Sequence, residues 1–190
     1  MKSFDFEQLQ DRRVMAINVA FKEVPWSSCA VIGDTRLLDD LADDEDWMAF
    51  KGARYSRDTQ LARLSKTQPA PIENLETQQE WSTNQGCVVS LGNTGLCGLN
   101  LAELLGWDPI FLLGFDADGD RGDGRMANYH DHYPKDWAKP EAFSRQKFVR
   151  VFESVRRSIT TKVYNCNPKS SLDCFEKITM AEAIALCRLS

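Results

Sequence analysis

Only two histidines, His130 and His132, occur in the 190 residues, and no two of the six cysteines (Cys29, Cys87, Cys97, Cys166, Cys174, Cys187) stand at C-x-x-C spacing. That scarcity argues against structural zinc and against a dithiol redox motif, and it points to reduced thiols in a cytoplasmic protein. Long apolar runs are also missing. None approaches the roughly 20 residues that span a bilayer, and the start "MKSFDFEQLQDRR" has no apolar signal-peptide core. The expectation is no membrane partner. Basic runs are absent too: 23 Lys and Arg stand against 28 Asp and Glu, a formal charge of -5. A nucleic-acid backbone is therefore not an expected partner, although a single nucleotide is not excluded. Neither G-x-G-x-x-G nor G-x-x-x-x-G-K-[ST] occurs, so neither a dinucleotide fingerprint nor a P-loop can be claimed.

What is present suffices for one substantial core, since 43% of the side chains are hydrophobic, and a single domain over residues 1–190 is expected. Short apolar runs alternate with helix-period segments, the mark of βα units and a mainly parallel sheet. The runs "RVMAINV" (13–19), "CAVIGD" (29–34), "GCVVSLG" (86–92), "PIFLLGFD" (109–116) and "KVYNC" (162–166) predict strands, nearly all apolar as strands covered on both faces should be. "TGLCGLNLAELLG" predicts an amphipathic helix stopped at Gly106, "PEAFSRQKFVRVFESVRRSI" a longer one, and "TMAEAIALC" a last one with a capping-box start from Thr179 to Glu182. The polar stretch from Ser56 to Gln85 reads as a surface excursion or lid.

In open α/β sheets, ligands bind beyond the carboxyl ends of the strands. Those ends are polar here: Asn18, Asp34, "GNTG" (Gly92, Asn93, Thr94, Gly95), Asp116 and "NCNPKSS". Gly92 and Gly95 allow close backbone approach, and Asn93 or Thr94 can cap the next helix and leave free N–H groups for an anion. The same residues also suit a plain tight βα turn, and Asn18 and Asp34 equally suit simple helix caps.

The stretch "LLGFDADGDRGDGRMANYHDHY" holds four aspartates within eight positions, followed by both histidines. Against the EF-hand template, Asp116, Asp118 and Asp120 fit, but the turn glycine is Arg121 and the bidentate glutamate is Ala127. Calcium fails at its two most demanding positions. His130 suits a general base, because a neutral imidazole near pH 7 can take a proton from an attacking hydroxyl; a surface loop histidine is the alternative. Asp116, His130 and His132 would make a metal-dependent hydrolase a weaker reading, but a third ligand at fixed spacing is not visible, so no metal site is assigned.

The order "FDFEQLQDRRVMAINVAFKEVPWSSCAVIGD", "SLGNTGLCGLNLAELLGWDPIFLLGFD", "YHDHYP" and "VYNCNPKSSLDCFEKITMAEAI" resembles small bacteriophage and prophage proteins related to the archaeal 6-hydroxymethylpterin diphosphokinase and motility-associated-factor glycosyltransferase group. More distantly it resembles bacterial sialyltransferases. The resemblance covers the chain apart from roughly residues 36–85. It implies a Rossmann-like fold, helices on both faces of the sheet, and a nucleotide-binding transferase moving a glycosyl or diphosphoryl group from a nucleotide-linked donor. Matched positions are Asn18, Asp34, Gly92 to Gly95, Asp116, His130 and Asn165 to Ser171, where Ser170, Ser171 and backbone amides would meet a phosphate. By this resemblance His130 is the base, and Asp116 orients it or holds Mg²⁺ against the diphosphate. The group also opens with a strand and a G-G-P-S-L-like turn ahead of "FDF", whereas this chain begins "MKSFDFEQL". The expectation is a sheet without that first strand and turn, whose exposed edge favours a homodimer; a nonenzymatic nucleotide-binding or phage accessory protein is the competing reading.

Overall fold

Near-continuous apolar runs of three or four residues set five of the strands, and almost every inward and outward position of these runs is covered. A computed structural model describes residues 4–57, 72–117 and 145–187. The chain divides into two compact units, one within Ser3–Leu104 and the other within Leu105–Ser190. Each is α/β, with parallel strands flanked by helices in a Rossmann-like arrangement.

In the first unit, β1 (Met15–Ile17), β2 (Cys29–Ile32), β3 (Ala53–Ser56) and β4 (Ile72–Asn74) form a four-stranded sheet in that order, every pairing parallel. β5 (Glu76–Gln78) pairs in parallel with β6 (Cys87–Val89). A single residue, Leu75, separates β4 from β5. Its N–H donates to Ser56 O at 2.7 Å, and the next N–H, of Glu76, donates to Gly86 O at 2.8 Å. One extended segment therefore changes partner from β3 to β6 while burying the Leu75 side chain. Part of the polar stretch expected to be an excursion is thus sheet. Its strand residues are largely exposed, and backbone pairing rather than apolar patterning holds them.

Crossover connections supply the helices. α1 (Thr35–Leu41) is capped by Asp34, whose Oδ1 accepts from Arg36 N at 3.0 Å, and α2 (Glu45–Ala49) by Asp44, whose Oδ1 accepts from Trp47 N at 2.9 Å. Arg54 of β3 lies buried over the Trp47 ring and donates to the carbonyls of Trp47 (2.7 Å) and Phe50 (2.8 Å). A fixed positive charge there suits the carbonyl end of the α2 dipole.

α3 (Thr94–Leu104) packs against β1, β2 and β6. Every residue from Leu96 to Ala102 is buried, Gly98 and Asn100 included. The amphipathic helix expected from the sequence is therefore covered all round, as a helix lacking a polar stripe should be. Its Cys97 and Leu101 meet Val31, Leu75 and Val88 in one core cluster.

In the second unit, β7 (Ile110–Leu112), β8 (Val163–Asn165) and β9 (Glu176–Lys177) form a parallel sheet in that order. α4 (Arg145–Val155) brings Phe148 and Phe152 against Phe115, and Phe152 against Phe175, with ring centroids 5.8–6.4 Å apart. α5 (Met180–Cys187) brings Ala183 onto a cluster with Cys166, Ile178, Phe111 and Tyr164. Among the described residues, no helix is long and apolar enough to cross a membrane.

Candidate functional site

At the end of β1 the chain turns sharply, and Asn18 takes φ +53°, a left-handed conformation that asparagine tolerates better than most residues. Its Oδ1 accepts from Gly33 N, the first residue beyond β2, at 3.3 Å. Gly33 in turn lies against the first residue of α3: a Cβ placed there would fall 2.0 Å from Thr94 Oγ1 and 2.7 Å from its Cγ2. Only glycine permits that approach. Asn18, Gly33 and Thr94 thereby lock the ends of β1 and β2 to the amino end of α3. Asp34, next along, is exposed and serves as the α1 cap.

The glycine turn resolves into distinct roles. Gly92 takes φ +74° at an exposed position. Asn93 is buried, and its Oδ1 accepts from Leu96 N at 2.9 Å, making it the cap of α3. The N–H groups of Thr94 and Gly95 belong to the first turn and have no acceptor within the helix. They supply the positive end of the helix dipole at the mouth of the sheet.

Two further residues stand at this end of the unit and were not singled out by the sequence pattern. Arg57 directly follows β3 and donates through Nη1 to the hydroxyl of Ser90, which directly follows β6. Beside them, the Cys97 thiol donates to Val89 O at 3.1 Å. Burial pushes the Cys97 thiol up, while the Arg57 charge and a hydrogen bond with Ser90 pull the other way. Arg57 escaped notice because "ARYS" has no apolar run to announce a strand, so its carboxyl end was not recognised as one.

The second unit gathers Asp116, Asn165, Ser170 and Ser171. Ser170 is buried, and its hydroxyl lies 2.6 Å from Phe115 O and 2.9 Å from Asp116 O while accepting from Leu172 N at 3.0 Å. Asn165, also buried, donates to Phe115 O at 3.3 Å and accepts from Asn167 N at 3.2 Å. Asn167 donates to the Asp116 carboxylate at 2.6 Å, and Ser171 N donates to Asp116 O at 2.9 Å. The amides of Lys169 and Ser170 are taken by Asn167. Every N–H from Lys169 to Leu172 thus already has an acceptor within the protein. The loop after β8 is stitched to the end of β7, and Ala117 beyond it is held at φ +56°. His130 and His132, with Asp118, Asp120 and Asp123, lie outside the described residues.

Searches of family models, curated proteins and solved structures find no match to this chain.

For a metal, the test is donor chemistry. Among the described residues no three His, Cys, Asp or Glu side chains converge. Asp116 offers one carboxylate, with Oδ1 engaged by Asn167. A Mg²⁺ site of one or two carboxylates completed by substrate phosphates and water needs no more from the protein. Among the described residues the donor set is not that of a dedicated protein cage.

Proposed function

We propose that the chain binds a nucleotide or nucleotide-linked donor through the strand ends of its first unit, and that it acts as a transferase-like protein moving a glycosyl or diphosphoryl group. The observation that carries this reading is the convergence of β1, β2 and the amino end of α3 through Asn18, Gly33 and Thr94. Carboxyl strand ends beside a helix amino terminus are where α/β sheets take phosphorylated ligands. Asp34 contributes an exposed carboxylate suited to sugar hydroxyls. The resemblance drawn from the sequence supports a nucleotide-linked donor, with His130 as base and Asp116 orienting it or holding Mg²⁺.

A nonenzymatic nucleotide-binding module is the second reading. It is favoured by the loop after β8, whose hydroxyl and amides are spent on the protein itself.

A thermal-shift panel of CMP, UMP, GDP, ATP and their sugar conjugates, with and without Mg²⁺, tests both. A ligand at about 100 times its dissociation constant stabilises by roughly 2.7 kcal/mol. Gly33→Ala pushes Thr94 aside and is expected to weaken the shift. In the transferase reading, His130→Ala abolishes turnover and leaves the shift intact. Binding without turnover in the parent protein supports the module, and no shift with any nucleotide overturns nucleotide recognition altogether.

A further inference from the structure

Of the polar groups gathered where β7 and β8 end, one oxygen is left over. Asn165 is wholly buried, and both ends of its amide are engaged, Nδ2 with Phe115 O at 3.3 Å and Oδ1 with Asn167 N at 3.2 Å. Ser170 is buried too; its hydroxyl meets the carbonyls of Phe115 and Asp116 and accepts from Leu172 N, and its own carbonyl accepts from Lys177. Ser171 N donates to Asp116 O. Asp116 Oδ1 accepts from Asn167 Nδ2 at 2.6 Å, whereas Oδ2 has no hydrogen-bond partner among the described residues. A half-buried carboxylate is thus held by one oxygen, with the other presented.

The amide that holds it has a fixed sense. Asn167 Oδ1 accepts from Lys169 N at 3.0 Å, which identifies the oxygen and leaves Nδ2 to face Asp116. Ala117, directly after the carboxylate, is buried at φ +56°, a left-handed conformation that a residue with a Cβ keeps only where its surroundings impose it. Among the described residues no cation pairs with the Asp116 charge, since the ion pairs join Lys22, Lys162 and Lys177 to Asp44, Asp46, Glu176 and Asp173. We infer that Asn167 is the positioning residue of Asp116, fixing Oδ1 so that Oδ2 takes a divalent cation at the end of β7. This rests on the reading of Asp116 as a group that serves the donor, and it adds the residue that orients the carboxylate and the cation the carboxylate takes. Mg²⁺ keeps several waters and is held through only one or two carboxylates. Hydrogen-bond partners of such carboxylates fix their orientation, and losing one typically costs about 10–100-fold in metal affinity. The loop after β8 then acts on the ligand only through Asp116.

The probe is Mn²⁺ alone, a paramagnetic stand-in for Mg²⁺, titrated into the full chain and read by broadening of backbone amide resonances. Mn²⁺ is expected to broaden the amides of Asp116, Ala117 and Ser171, and excess Mg²⁺ to restore them. Asn167→Ala is expected to raise the Mn²⁺ concentration needed by at least about tenfold, while any broadening along the acidic helices α1 and α2 stays as in the parent. Asn167→Ser keeps a side-chain acceptor for Lys169 N but is one atom shorter on the Asp116 side. It covers the case in which Asn167→Ala does not fold, and the same loss is expected. Asp116→Asn, which retains an acceptor for Asn167, is expected to abolish the broadening with little change in melting temperature. A lower melting temperature in Asn167→Ala with an unchanged Mn²⁺ response would make the amide merely structural and overturns the inference, as do amides that stay sharp in the parent. The two proposals separate cleanly. An Mn²⁺ response governed by Asn167, with no response to any nucleotide, retains the Asp116 site and removes the nucleotide reading; nucleotide binding without broadening at Asp116 does the reverse.

Discussion

Asn100 sits wholly buried in the middle of α3, among leucines, and its side chain does the work of a backbone. Its Oδ1 accepts from Val89 N at 2.9 Å and from Ser82 N at 3.3 Å, and its Nδ2 donates to Ser82 O at 2.9 Å. β6 therefore does not leave the Val89 N–H unpaired in the core, because an amide side chain completes it. Truncation to alanine strands three buried polar groups at once. Each costs about 1–3 kcal/mol when unpaired, so Asn100→Ala is expected to lower stability by about 3 kcal/mol or more, read as a lower urea midpoint at unchanged slope. Asn100→Asp keeps the acceptor but loses the donor and buries a charge, and is expected to be at least as damaging. A loss below about 1 kcal/mol for the alanine variant would mean that the helix and β6 rearrange to pair those groups elsewhere.

At the scale of the element, local chemistry that can be read from spacing alone was legible. Thr179 and Glu182 form the reciprocal cap of α5: Thr179 N donates to Glu182 Oε2 at 2.7 Å, and Glu182 N donates to Thr179 Oγ1 at 3.2 Å. The five apolar runs each contain a strand, and α3 stops just short of Gly106. Among the strands, those that the pattern does not announce are β3, β4, β5 and β9, each of two to four residues with polar or charged members. Their place is decided by neighbours, through parallel backbone pairing that no single-strand periodicity records. The site inherits this division. Asn18, Asp34 and the glycine turn follow apolar strands and could be named, whereas Arg57 follows β3 and could not. Ser170 and Asn165 were also legible as polar strand-end residues, but their partners, carbonyls some 50 positions away, were not. The α5 cap makes its own prediction. Hydrogen bonds from the Thr179 N–H and then its hydroxyl hold the Glu182 carboxyl below its ordinary value of 4.5. A depressed carboxylate contributes stability above the unfolded value, and that contribution is lost as pH falls through the folded value. The melting-temperature difference between the parent and Glu182→Gln is thus expected to be constant at neutral pH and to shrink as pH drops below about 4.5. A difference that stays flat down to pH 2 would mean the carboxylate form plays no part in the cap.

Across the whole molecule six cysteines, none of them in a disulfide, report on both units, three in each: Cys29, Cys87 and Cys97 in the first, Cys166, Cys174 and Cys187 in the second. Burial pushes Cys29 and Cys166 up to about 12 and Cys174 up to about 11. Thiolate is the reactive form, so at pH 8 Cys29 and Cys166 are both covered and protonated, and their alkylation must wait for the structure to open. Within the first unit the opening should be concerted. β2 carries Cys29 at one end and, two residues on, Val31, which packs against Cys97 of α3. The helix cannot leave without exposing β2, and β2 cannot leave without exposing the helix. Pulsed alkylation along a urea series, read by mass spectrometry, is therefore expected to label Cys29 and Cys97 in one transition, while Cys166 follows the core it shares with Ile178 and Ala183. Labelling of Cys97 at a distinctly lower urea concentration than Cys29 would mean that α3 loosens as an independent element. The amino end of α3 would then be a mobile wall of the proposed nucleotide site, and Gly33 and Thr94 would be holding it only part of the time.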